Sequence, residues 1–153
     1  MTNLGAKVFL DTNVLLRATI DQIELHHEAQ RLVEAQRDFG KELWISRQVI
    51  REFMVYITRP QLFFTPMSIA EVEEYVNRVQ AIFKVADETA AVTTRLLQLI
   101  KHYPTGGKQI HDANIVATML VNGIDTLLTQ NIDDMKRFEN EITLIPLKAD
   151  GSS

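Results

Sequence analysis

Lys7-Val8-Phe9-Leu10-Asp11-Thr12-Asn13-Val14-Leu15 decides how the rest of the chain is read. Val8, Phe9 and Leu10 form a short apolar run without polar alternation, the pattern of a strand buried on both faces. Asp11, Thr12 and Asn13 end that run with turn and cap chemistry. Helical spacing resumes over residues 14–20, with Thr12 or Asn13 as the expected N-cap.

Outward from this stretch the alternation repeats. Residues 26–39 follow helical spacing with Gly40 as the stop, and Leu43-Trp44-Ile45 reads as a second strand. Ser46 is expected to cap a helix to about residue 58, ended by Arg59-Pro60. An apolar loop spans residues 61–67, and Ser68 caps a helix to about residue 80. Phe83-Lys84-Val85 is a third strand. Helices follow from Asp87 or Glu88 to residue 102 and over 111–122, the second closed by Gly123. Residues 125–128 are a fourth strand, 132–138 a short helix and 142–145 a fifth strand. Short strands alternating with helices predict one α/β domain with a parallel sheet covered on both faces. It extends over residues 1–148, and 149–153 reads as a loose tail.

Composition narrows the function classes. The chain has 153 residues, long enough to bury a core without staples. It has no cysteine, which removes disulfides, cysteine–zinc sites and thiol nucleophiles and leans towards a reducing compartment. No stretch approaches the roughly eighteen apolar residues of a membrane span, and no targeting segment is visible, so a cytoplasmic location is expected. The net charge of −4 excludes a simple electrostatic coat for nucleic acid. Binding nucleic acid would need cations or a basic patch to reverse the field locally.

Acidic residues fall where an open parallel sheet collects its ligands, at the carboxyl ends of strands. Asp11 directly follows the first strand; its bland alternative is a turn or cap residue. Glu52 borders the apolar stripe of Val49, Ile50, Phe53, Met54 and Ile57, and leans towards the strand termini because helical side chains tilt to the amino end. Its alternative is an exposed partner of Arg47 or Arg51. Asp112 shares a helical stripe with Ile115, Val116, Met119 and Leu120, or else caps that helix. Asp133 and Asp134 follow the fourth strand, where Asn131 is a fitting cap and acids suit the first turn. Each acid alone has a structural explanation, whereas one shared cation site accounts for them together. Converging carboxylates repel, and one takes up a proton unless a divalent ion supplies charge. Oxygen ligands without cysteine favour Mg2+ or Mn2+ over zinc.

Four stretches together, Val8-Phe9-Leu10-Asp11-Thr12-Asn13-Val14-Leu15, the Glu52 helix, His111-Asp112-Ala113-Asn114-Ile115-Val116-Ala117-Thr118 and Thr129-Gln130-Asn131-Ile132-Asp133-Asp134, resemble the PIN-domain nucleases. The first and third are the specific motifs. The resemblance implies a three-layer α/β/α, Rossmann-like fold and a metal-dependent endoribonuclease. Its acidic quartet would be Asp11, Glu52, Asp112 and Asp134, serving as catalytic residues and metal ligands, with Thr12, Asn13, Thr129, Asn131 and Asp133 in support. In the family's fourth motif the acid is commonly followed by Phe. Here Met135 follows Asp134 and Asp133 precedes it, so the choice between the two acids rests on the resemblance alone. Small members of this kind are often VapC-type toxins, which implies an RNA substrate, a homodimer and an antitoxin partner.

Arg47 and Arg51, on one helix face, and Lys108, four residues before Asp112, are candidates to contact RNA, with an ordinary solvated surface as the alternative. His26 and His27 read as surface or packing residues, and His111 is not needed as a base where a metal ion activates water. Leu62, Phe63 and Phe64 are expected to pack at a partner surface or in the core. A haloacid-dehalogenase-type phosphatase needs a second acid two residues after Asp11, where this chain has Asn13. A P-loop reading of Gly106-Gly107-Lys108 lacks the glycine spacing. The remaining rival is a catalytically silent binding or scaffolding module.

Overall fold

The computed structural model describes residues 6–60 and 65–149. Its elements in chain order are β1 (Lys7–Leu10), α1 (Thr12–Thr19), α2 (His26–Asp38), β2 (Glu42–Ser46), α3 (Arg47–Thr58), α4 (Ile69–Ile82), β3 (Lys84–Ala86), α5 (Ala90–His102), α6 (Gln109–Val121), β4 (Thr126–Thr129), α7 (Ile132–Met135), a 3-10 turn (Lys136–Phe138) and β5 (Thr143–Pro146). The five strands form one parallel sheet in the order β3-β2-β1-β4-β5. Right-handed crossovers put α1 to α4 on one face and α5 to α7 on the other, consistent with the packing of α1 on α2 and α3 and of α6 on α5 and α7.

Covering both faces explains the missing alternation. Val8, Phe9 and Leu10 of the central β1 are fully buried, as are Leu127 and Leu128 beside them. Phe53 from α3 and Phe138 from the 3-10 turn are fully buried as well. Burying each such side chain contributes about 2–3 kcal/mol. Among the described residues, no helix is long and apolar enough to cross a membrane.

Several boundaries differ from the expectation, each for a local reason. The N-cap of α1 is Asp11 rather than Thr12 or Asn13, since its extended backbone lets Oδ1 accept from the Thr12 N–H at 2.8 Å. Ser46 and Ser68 do cap α3 and α4, the latter within a full capping box with Glu71. Gly40 follows α2 at φ 77°, in the left-handed region that closes helices. Met54 is exposed rather than part of the buried stripe of α3. The expected 132–138 helix splits into α7 and the 3-10 turn, a common way for a short helix to tighten at its end. Helix α6 begins at Gln109, so Asp112 lies within its first turn and is not its cap. Leu62, Phe63 and Phe64 and the tail beyond Ala149 lie outside the described residues. Met67 donates its N–H to the Ile57 carbonyl at 3.1 Å and packs against the core.

Candidate functional site

Strand order reverses between β1 and β4, because the chain moves outward through β2 and β3 and then returns past β1. At such a switch point the loops leaving adjacent strands diverge and open a crevice at their carboxyl ends. Asp11 ends β1 there and Thr129 ends β4. The Thr129 hydroxyl donates to Asp11 Oδ2 at 2.7 Å and accepts from the Asn131 N–H at 2.9 Å. Asp11 is only 6% exposed. Burial pushes its carboxyl above the ordinary value and the Glu52 charge adds to the rise, while bonds from Thr129 and the Thr12 N–H oppose it.

With Asp11 as the cap, the Thr12 hydroxyl turns to α3 and donates to Glu52 Oε2 at 2.5 Å. Glu52 Oε1 accepts from Gln48 Nε2 at 3.0 Å. Glu52 therefore has neither expected arginine as partner. Arg47 pairs with Asp87 at 3.0 Å and donates to Gln80 at 2.9 Å, and Arg51 lies 3.7 Å from Glu88.

Gln48 was not singled out from the sequence, although it stands one helical turn before Glu52 on the same face. It is 3% exposed. Besides Glu52, its amide donates to the His111 carbonyl at 2.9 Å, and its oxygen accepts from Asn114 Nδ2 at 2.8 Å. One buried carboxamide thus ties α3 to the first turn of α6, where Asp112 stands.

Asp112 is half-buried. Its carboxyl is pushed up to about 6, first by burial and then by the charges of Asp11, Asp134 and Glu52, with Arg137 pulling the other way. Acids from four separate segments thus share one field. Asp134 is half-buried and its charge is felt at Asp112, whereas Asp133 is exposed and faces a neighbouring hollow. Asn13 is exposed in the first turn of α1, and Lys108 is exposed at the start of α6. Asn131 precedes α7 without a side-chain cap bond. His26 Nδ1 donates to the Arg17 carbonyl at 2.7 Å, joining α2 to α1 away from the acids. His27 is exposed.

The donor chemistry fits a hard divalent cation: oxygen donors only, more negative than positive charge, and two carboxyls, Asp11 and Asp112, already driven towards protonation. Among the described residues, no group of three or more acidic or histidine side chains stands close enough together to hold an ion.

A family model described as PIN domain matches residues 8–141. No curated protein sequence matches the chain. Among solved structures, VapBC2 from Rickettsia felis bound to a promoter DNA fragment superposes with a TM-score of 0.64 at 17% identity, covering 93% of this chain and 99% of that one. A toxin–antitoxin complex from Klebsiella pneumoniae gives 0.62 at 20% identity, with 92% and 98% covered. The Mycobacterium tuberculosis toxin VapC20, which cleaves the sarcin-ricin loop, gives 0.58 at 17%, with 78% and 86% covered.

Proposed function

The chain belongs to the PIN domain family, and from that premise we propose that it is a divalent-metal-dependent endoribonuclease acting as the toxin of a toxin–antitoxin pair. The observation that carries this reading is the convergence of Asp11, Glu52, Asp112 and Asp134 at the switch point, where Asp112 feels the other three. These four residues would hold Mg2+ or Mn2+. When bound, such an ion activates water and offsets charge on the attacked phosphodiester. Thr129 and the Thr12 N–H hold Asp11 in one orientation with both oxygens engaged. The Thr12 hydroxyl and Gln48 do the same for Glu52. Asp112, raised to about 6 by burial and the neighbouring acids, is the carboxyl whose ionised form such an ion would favour. Asn13, Asn131 and Asp133 would act in support at the rim.

The RNA reading draws on the similarity to the M. tuberculosis toxin, which cleaves the sarcin-ricin loop. An antitoxin partner draws on the complexes from R. felis and K. pneumoniae. A homodimer and a cytoplasmic location complete the proposal. Co-expression with the product of the adjacent reading frame, followed by sedimentation of the complex and the free chain, tests both associations.

The spacing of the acids favours one second reading, a catalytically silent PIN-fold module. A single assay separates the two. Purified protein incubated with structured RNA and Mn2+ should cleave it, cleavage should stop with EDTA, and Asp11→Asn should lower the rate at least about a hundredfold. A folded protein that leaves RNA intact under these conditions is the silent module.

A further inference from the structure

Beside the carboxylates lies a hollow of about 580 Å3 lined by His102, Tyr103, Pro104, Asp133, Lys136 and Arg137. This volume suits one nucleotide-sized group. Its two cations, Lys136 and Arg137, both come from the 3-10 turn that follows α7. Arg137 connects hollow and site, since it lines the one and its charge is felt at Asp112 in the other. Its Nη1 lies 3.4 Å from Thr105 Oγ1, the one hydrogen bond it makes among the described residues, which leaves most of the five guanidinium donors for a ligand. Tyr103 is a fixed part of the lining. Tyr103 packs edge-on against Phe138 with ring centres 5.7 Å apart, and its hydroxyl donates to Glu141 at 3.3 Å.

We propose that this hollow seats a backbone phosphate of single-stranded RNA, at a nucleotide flanking the bond cut at the carboxylates. The proposal rests on the nuclease reading for its choice of RNA. In a molecule of net charge −4 a polyanion is held only where cations gather. Arg47 and Arg51, candidates for this from the sequence with a solvated surface as the alternative, are engaged by Asp87 and Glu88. Lys136 is exposed at the hollow instead, with Arg137 half-buried beside it. Asp133 at the rim lowers the local positive charge, so the hollow accounts for one phosphate and not a long basic track.

Lys136 gives the cleanest test, since Arg137 also acts on Asp112. In an Asp11→Asn background that suppresses cleavage, a fluorescein-labelled RNA of about a dozen nucleotides is titrated with Mn2+ present and followed by anisotropy. Lys136→Gln should weaken binding about three- to tenfold and lower the slope of log K against log salt by about 0.7, the loss of one single-strand phosphate contact. Lys136→Glu should weaken it further. In the cleaving protein, Lys136→Gln should raise KM rather than lower kcat, a split that loss of stability alone would not give. Unchanged affinity and slope in both variants, or no RNA binding by the parent, would overturn the phosphate seat. Binding that depends on Lys136 in a protein that never cleaves would sustain the seat and remove the nuclease reading.

Discussion

Thr129 satisfies two groups with one hydroxyl, giving its hydrogen to Asp11 and accepting the Asn131 N–H. Thr129→Val keeps the shape and removes both bonds, leaving a buried carboxylate oxygen without its donor. The expected cost at pH 7 is about 1–3 kcal/mol in urea unfolding, with Thr129→Ser close to wild type. Equal midpoints for the Val and Ser variants would show that the hydroxyl does not hold Asp11. Asp112 supports a prediction of opposite sign. A carboxyl whose folded pKa is raised from 3.8 to about 6 stabilises the fold while protonated, so its contribution is present below the unfolded value and is lost as pH climbs to about 6. Asp11 is raised too and acts in the same direction. In metal-free protein Asp112→Asn should therefore gain about 1 kcal/mol at pH 7.5, after allowance for its partial exposure, and nothing at pH 4. Thermal melts across that range check it, and a variant less stable at pH 7.5 would count against crowded acids. At this scale, residue placement relative to the strands was legible, because an acid after an apolar run marks a strand's carboxyl end. Partnership was not. Glu52 with Thr12 and Gln48, and Arg47 with Asp87, depend on how three elements pack, and helical spacing alone suggests a local arginine instead.

The elements show what capping and burial reveal in advance and what they hide. Ser46 and Ser68 announce α3 and α4 because a hydroxyl before an amphipathic run has one useful role, accepting an orphan N–H. The start of α6 was hidden. Lys108 precedes it without a side-chain cap bond, and the helix is buried on Ala113, Ala117 and Thr118 as well as on the expected stripe. A helix covered on several sides has little periodicity to read. What seats α6 is Gln48, reaching across from α3 to the His111 carbonyl. Gln48→Met conserves length and bulk but deletes that bond, the one to Glu52 and the one accepted from Asn114. It should cost about 1–2 kcal/mol and raise the Mn2+ concentration needed for half-maximal stabilisation, because Glu52 and Asp112 lose a shared anchor. Ser68→Ala serves as the control: the loss of a cap should cost about 1 kcal/mol and leave the Mn2+ midpoint where it was. Matching shifts in both variants would reduce Gln48 to a purely structural tie.

Charge and topology meet at the scale of the whole molecule. The order β3-β2-β1-β4-β5 brings the ends of β1 and β4 together, and the crossovers deliver α3 and α6 to the same edge, so negative charge accumulates there as a consequence of the fold. The sheet has no means of relieving it except protonation, the pull of Arg137 or a bound cation. Protons and a divalent ion then compete for the same oxygens. Mn2+ at about a hundred times its Kd should stabilise the protein by about 2.7 kcal/mol, which for a chain of this size is a rise in Tm of about 5–10 °C. That rise should be full at pH 7.5, where Asp112 is ionised, and clearly smaller at pH 5.5, below its value of about 6. It should also be smaller in Asp112→Asn at pH 7.5. Scanning fluorimetry of both proteins at the two pH values, with and without Mn2+, gives all the comparisons needed. A metal-induced rise that ignores both pH and the substitution would place the ion elsewhere, and the four acids would then be neighbours without a common ligand.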